Sequence, residues 1–239
     1  FSGPIDRHHM EISALSCHGN PVHPNPETAQ AYDKTIRDTI LLAQRLGSAE
    51  STPFPAAPAA ILTPLSQLGH LSLAGGFSGG SGLPMEPVLI PYWRETAAFA
   101  AEHGVTQIAL EMHPGFCVYH TESLLRLRRA VGEQIGANLE SQPSDLAGHG
   151  SYRRVIRAFK GRDFHFHAKD TKIDPYNTAV NGVLDTKPYR EQETRSWNFR
   201  SVGYGNGPLY WKDMISNLRL AGYDHVISVE HEDGLMSRS

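Results

Sequence analysis

The chain has 239 residues, of which 40% are apolar and 20% charged, a balance that suits one soluble globular domain with a sizeable core. A net charge of −3 argues against broad binding to nucleic-acid phosphates, which calls for a strong basic excess. No apolar run reaches the length of a membrane span and no signal peptide opens the chain; Cys17 and Cys117 are too few for a disulfide framework, so a reducing cytoplasm is expected.

Met10–Ser16 reads as a strand that ends in Cys17-His18-Gly19-Asn20-Pro21. Asn25 then stands as an N-cap with Pro26 in the first helical position. Ile36, Ile40, Leu41 and Leu46 are the expected buried stripe of that helix, and Gly47 its end. Residues 48–90 are rich in Pro, Gly and Ser, with one weak strand signal at Leu71-Ser72-Leu73 and the character of an active-site loop. Order returns with a helix over Pro91–Glu102, stopped by His103-Gly104, and a strand over Gln107–Glu111. The next pairs are helix Thr121–Val131 with strand Ile135–Leu139, and helix Tyr152–Phe159 with strand Phe164–Ala168. A long polar connection over 170–207 holds a further candidate strand near Val202, and Asn177–Trp197 within it is long enough for a lid or a subunit interface. Helix Leu209–Leu220 and strand Val226–Glu230 come last.

Strands and helices that alternate in this way specify an α/β fold with a parallel sheet. The count is about one unit short of a closed (β/α)8 barrel, so a terminal βα element is expected to lie outside the sequence. A doubly wound sheet is the competing architecture, but no strand leads into a GxGxxG turn.

In a βα barrel the chemistry sits where the strands end. Those ends carry His18 and Asn20, Glu111 and His113, Asn138 and Glu140, then His167, Lys169 and Asp170, and finally Glu230, His231, Glu232 and Asp233. Singly, each is an ordinary charge emerging into solvent. Together, carboxylates and an imidazole converging on one rim would repel one another without a cation. The oxygen and nitrogen donors suit a divalent ion, Mn²⁺ first and Co²⁺, Mg²⁺ or Zn²⁺ as alternatives, and do not resemble a structural thiolate site. Arg200–Gly205 offers backbone amides to a phosphate or forms a plain tight turn, with neither preferred.

Longer motifs carry a resemblance. "EISALSCHGNPVHP", "IALEMHPGFCVYHTESLLRLRRAVG", "IGANLE", "FHFHAKDTKIDPYNTAVNGVLDTKPY", "RSWNFRSVGYGNG" and "GYDHVISVEHED" resemble the sugar phosphate isomerase/epimerase family, TIM barrels similar to xylose isomerase and tagatose 3-epimerase. The resemblance covers residues 10–47 and 88–236 and implies a single TIM-barrel domain over 1–239. It implies metal ligation by Glu111, His167, Glu230 and an acidic residue after the "GAN" strand. It also implies proton transfer by Glu111 and Glu230, and substrate contacts from His18, His113 and Lys169. In the family the "GAN" strand ends in Asp-Pro-Ser-His; here Asn138-Leu139-Glu140 is followed by Ser141-Gln142-Pro143-Ser144-Asp145. Glu140 is preferred to Asp145 as the ligand because a strand end holds a side chain more rigidly than a loop does.

The expected activity is isomerisation or epimerisation of a sugar or sugar derivative, by proton transfer through a metal-stabilised enediolate. The same site would permit β-elimination from a 3-keto glycoside, and a barrel that binds sugar without catalysis is the non-enzymatic alternative. The expected partner is a small carbohydrate, with no nucleic acid and no membrane. A homo-oligomer is expected on general grounds, with a different partner subunit as the other option.

Overall fold

Strand β1 (Ala14–His18) begins later than its apolar run suggests, because its register with β2 (Ala59–Thr63) starts at Ala14↔Ala59 and Met10 is exposed. The computed structural model describes residues 7–10, 12–47, 59–63, 85–112, 117–141, 152–183, 185 and 187–236. Two compact units divide the chain: Phe1–Glu111, Gly115–Val118 and Ser123–Gly136 form the first, and Met112–Pro114, Tyr119–Glu122 and Ala137–Ser239 the second.

In the first unit β2 lies between β1 and β3 (Ile108–Glu111), parallel to both. Strand β2 has no legible period in its Pro/Ala-rich setting, and only pairing on both edges defines it. The weaker signal at Leu71–Leu73 falls outside the described residues. Helix α1 (Pro26–Gly47) buries Ile36, Ile40 and Ala43, a clean i, i+4, i+7 stripe, and leaves Leu41 and Leu46 half-buried. A π-helical turn over Met85–Leu89 runs into α2 (Ile90–Glu102), which buries Trp93, Ala97 and Ala100. All four residues of β3 are buried, as expected of a parallel strand covered on both faces.

Asn25 caps α1 as expected, with its Oδ1 accepting from the amides of Glu27 (2.9 Å) and Thr28 (3.2 Å). Asn25→Ala should cost about 1 kcal/mol, read as a lowered denaturant midpoint at unchanged slope. An unshifted midpoint would show that the cap contributes nothing.

Helix α3 (Thr121–Val131) has the expected bounds. Strand β4 (Ile135–Glu140) runs out of the first unit into the second, where it pairs parallel with β5 (Asp163–Ala168). Helix α4 (Tyr152–Ala158) precedes β5, whose other edge takes β8 (Ile227–Val229), also parallel.

The long polar connection is a folded element of its own. Strands β6 (Asp170–Ile173) and β7 (Trp197–Arg200) pair antiparallel, from Asp170↔Arg200 to Ile173↔Trp197. The strand sought near Val202 is therefore β7. It belongs to this separate two-stranded sheet and not to the parallel one, and Val202 itself lies in a turn. Between β6 and β7, helix α5 (Pro175–Asn181) is capped by Asp174, whose Oδ1 accepts from the Tyr176 and Asn177 amides. Arg195 is buried, with its guanidinium over the rings of Tyr189 (4.5 Å) and Trp197 (4.8 Å) and its donors on the Trp197 and Lys187 carbonyls. Asp185 accepts from the Ser196 amide and from Lys187, so these parts of the connection pack against the segment itself. Helix α6 (Pro208–Ala221) ends at Gly222, which takes the left-handed conformation at φ 83° that L side chains resist.

Among the described residues no helix is long and apolar enough to cross a membrane, and no ladder closes a ring of eight strands.

At the start of β5, both carboxylate oxygens of Asp163 are buried without completing a hydrogen bond. Burial raises its pKa well above the usual carboxylate value, and the Leu139 backbone opposes this only in part. A carboxyl whose folded pKa is raised contributes stability below its unfolded pKa, near 3.9, and loses it as pH climbs through the folded value. Asp163→Asn should therefore raise the melting temperature at pH 7 and flatten the decline of stability above pH 4. Parallel pH profiles for the two proteins would rule this out.

Candidate metal centre

Three neighbouring strand ends in the second unit converge through backbone register. Glu140 stands opposite His167, and Ala168 opposite Val229. The ladder continues past the strands, with the Ser141 amide donating to the His167 carbonyl and the Glu230 amide to the Ala168 carbonyl, each at 3.0 Å. Glu140, His167 and Glu230 each offer a ligand atom here, all within 4.8 Å of one another.

Their mutual contacts are charge-assisted. His167 Nδ1 lies 2.6 Å from Glu230 Oε1. The Lys169 ammonium lies 2.8 Å from Glu230 Oε2, 3.4 Å from Glu232 Oε1 and 3.5 Å from Glu140 Oε1. Burial works to raise the Glu230 pKa, but hydrogen bonds from His167 and Lys169 outweigh it and hold the carboxyl at about 2. Burial likewise works to lower the Lys169 pKa, and the surrounding Glu140, Glu230 and Glu232 raise it instead. Both groups are thus charged at neutral pH.

Among the described residues Glu140, Glu230 and Glu232 all lie against the Lys169 ammonium, so these carboxylates outnumber it. Carboxylate oxygens and an imidazole nitrogen in such surroundings fit a divalent cation of hard to borderline character.

Neighbouring residues hold these groups in place. Ser141 Oγ donates to the Lys169 carbonyl and accepts from the Lys169 amide, both at 2.8 Å, which fastens the end of β4 to that of β5. Asn138, fully buried, places its Nδ2 3.3 Å from the ring nitrogens of His167. His165, two residues before His167 and on the same face, meets Ser228 Oγ at 2.7 Å and is a hydrogen-bonded interior residue. Burial, then the neighbouring His167 and His225, lower its pKa to about 4. The aromatic partner of the cluster is Phe199, whose ring centroid lies 4.8 Å from Lys169 Nζ. Phe199 and Ser141 carry no local sequence signal for this role, because nothing beside either in the chain marks a contact with Lys169.

The backbone amides of Ser201 and of residues 203–206 in the 200–206 turn are already committed. Asp170, buried at 1% exposure, accepts from the backbone amides of Gly203 (2.8 Å), Gly205 (3.1 Å) and Asn206 (3.1 Å), and from Asn206 Nδ2 (2.8 Å). The phosphate alternative for this turn gives way to an internal carboxylate. Gly205 is required by close approach, since a Cβ there would lie 2.3 Å from the Thr171 carbonyl oxygen. Asp233 fastens the segment after β8 to the same turn by accepting from the Ser201 amide at 2.8 Å.

Of the other expected site residues, Glu111 ends β3 in the first unit and is buried. His18 ends β1 in the same unit, exposed, with Nε2 3.1 Å from Ser16 Oγ. His113 and Asp145 lie outside the described residues.

Parallel strands joined by helices, with acidic and imidazole groups gathered where the strands end, define the class of βα-barrel proteins that carry their chemistry on that rim. The chain belongs to the family of xylose isomerase-like TIM barrels, which matches residues 1–237. It is 33% identical to the uncharacterized protein YfiH of Bacillus subtilis (strain 168), over 99% of this chain and 76% of that protein. A xylose isomerase domain protein from Planctomyces limnophilus shares the fold at a TM-score of 0.58 and 20% identity, over 86% of this chain but only 59% of its own. The IOLI protein, crystallised with a zinc atom, does so at 0.64 and 18%, over 95% and 69%. The fold recurs in a Mycobacterium smegmatis protein in complex with magnesium (0.63, 15% identity, 98% and 71% covered). It recurs again in the 3-keto-D-glucoside 4-epimerase YcjR of E. coli (0.59, 11%, 98% and 76%), and in mannonate dehydratase of Streptococcus suis (0.56, 12%, 95% and 70%).

Proposed function

We propose that this protein is a divalent-metal-dependent isomerase or epimerase of a sugar or sugar derivative. The observation that carries the reading is the convergence of Glu140, His167, Glu230 and Lys169 at adjacent parallel strand ends, with carboxylates that outnumber the Lys169 ammonium. The proposed ligands are Glu111, Glu140, His167 and Glu230. Glu111 is supported by its place as the last, buried residue of β3, at the strand end where barrels of this class carry their chemistry. Zinc and magnesium in proteins of this fold support the choice of a divalent ion, and Mn²⁺ is the first candidate for this chain. Such an ion supplies Lewis acidity, which makes a proton beside a carbonyl easier to remove.

The protein's own groups then move that proton. Glu230 is the proposed first transfer group: it is ionised, and its contacts to His167 and Lys169 fix its orientation at the strand end. Glu111 is the proposed second transfer group, returning a proton on the opposite face or at the neighbouring carbon. Lys169, His18 and His113 are the proposed contacts to sugar oxygens. A carbohydrate substrate is supported by the family and by relatives named for epimerisation and dehydration of sugars or sugar acids. A cytoplasmic setting is supported by a cysteine count of only two, Cys17 and Cys117, too few for a disulfide framework.

The test is solvent exchange. Metal-stripped protein is supplied in turn with Mn²⁺, Co²⁺, Mg²⁺ and Zn²⁺ and incubated in D₂O with a panel of ketoses and 3-keto glycosides. The expected result is metal-dependent incorporation of one deuterium beside the carbonyl, with an isomer or epimer as product. Release of an aglycone without an epimer would replace the reading with β-elimination. No incorporation with any metal would leave a sugar-binding barrel without catalysis.

A further inference from the structure

The Lys169 ammonium lies against Glu140, Glu230 and Glu232 at once, and its surroundings are asymmetric. Two of its carboxylates, Glu140 and Glu230, are proposed metal ligands and are largely buried, at 6% and 26% side-chain exposure. The third, Glu232, is 46% exposed and is assigned to no metal. The ring of Phe199 lies on the same ammonium at 4.8 Å. The carboxylates a divalent ion would claim are therefore those Lys169 holds now, and Glu232 with Phe199 remains to receive the ammonium.

We propose that Lys169 is a built-in counter-ion of the metal centre: it holds Glu140 and Glu230 together before a cation arrives, competes with that cation for them, and passes to Glu232 and Phe199 when it binds. The inference rests on the metal-dependent reading above and makes Lys169 a positioning residue, whether or not it also touches substrate. Like charges repel strongly at the few ångströms involved, so the ammonium and a divalent ion oppose each other across the same oxygens. Without the Lys169 ammonium, the buried carboxylates Glu140 and Glu230 lose a positive charge beside them, which costs stability. Removing Lys169 should thus act in opposite directions on metal affinity and on metal-free stability.

The experiment is titration calorimetry with Mn²⁺ on stripped protein, beside thermal melts of the same samples. Lys169→Met should bind Mn²⁺ at least about tenfold more tightly than wild type, and its metal-free form should melt lower by roughly 5 °C or more. A lysine that serves only as scaffolding would lower the melting temperature without tightening Mn²⁺. Two variants that leave the buried ions in place keep the test open if Lys169→Met does not fold. Glu232→Gln and the charge-neutral Phe199→Leu should each weaken Mn²⁺ binding by about threefold or more, because each removes part of the place the ammonium moves to. Equal Mn²⁺ affinity in wild type, Lys169→Met and Phe199→Leu would overturn the counter-ion role while leaving the metal centre standing. Absence of Mn²⁺, Co²⁺, Mg²⁺ and Zn²⁺ binding to wild type would overturn both.

Discussion

Glu230→Gln should lower turnover of any substrate found in the exchange panel by about 10²–10⁴-fold, the usual contribution of a positioned proton-transfer group. The substitution keeps the shape of the side chain and one acceptor oxygen, so β8 and the segment after it have no reason to move. It removes the negative charge that His167 Nδ1 meets at 2.6 Å and Lys169 Nζ at 2.8 Å. The amide cannot take up a proton at neutral pH, so solvent deuterium should no longer enter the substrate. Metal affinity should fall as well, since one of four proposed ligands loses its charge. Measuring exchange at saturating metal separates the two effects. Residual exchange within tenfold of wild type under those conditions would assign the proton transfer to another group.

Asp170→Ala is expected to destabilise the second unit by several kcal/mol. The carboxylate accepts from the amides of Gly203, Gly205 and Asn206 and from Asn206 Nδ2. It also receives the Thr171 amide at 2.9 Å. A buried donor left without a partner costs about 1–3 kcal/mol. Even two such orphans bring the loss to about 3 kcal/mol, or roughly 6–12 °C in melting temperature for a chain of this size. Asp170→Asn keeps one acceptor oxygen and should fall between the two. A melting temperature for Asp170→Ala within 2 °C of wild type, at the low end of about 1 kcal/mol, would mean that water or a shifted turn replaces the carboxylate. Asp170 follows Lys169 directly, so the same substitution should loosen the counter-ion above it, seen as a changed Mn²⁺ affinity.

Much of the fold was legible because its signals are local. Asn25-Pro26 opens α1 as read, Gly104 follows α2, and the bounds of α3 match. The α1 stripe was half right: Ile36 and Ile40 are buried, but Ala43 takes the place given to Leu41 and Leu46. A small residue is easy to overlook where close packing, not hydrophobicity, selects it. Strand β2 was missed because Ala59–Thr63 has no alternating pattern, its hydrogen bonds going to strands remote in sequence on both edges. Strand β7 lies close to the candidate at Val202 but outside the parallel sheet, since a strand's own residues do not say whether its partner runs parallel or antiparallel.

The candidate site divides in the same way. Strand-end positions made Glu140, His167 and Glu230 visible in the sequence, because a charged or imidazole side chain just past a buried apolar run is a local pattern. The roles of Ser141, Phe199 and Asp170 were not visible. Each depends on a partner brought near by strand pairing, as when Ser141 bonds the main chain of Lys169.

By itself, then, the sequence determined the alternation of strands and helices, the N-cap of α1, and the acidic and imidazole groups where strands end. Those features follow from backbone period and side-chain chemistry within a few residues. Only the tertiary structure decided that Glu140 faces His167, that one lysine meets three carboxylates, and that Asp170 takes amides otherwise open to a phosphate. Register and hydrogen-bond partnership are settled between segments far apart in the chain, where one residue of slip turns every side chain to the other face.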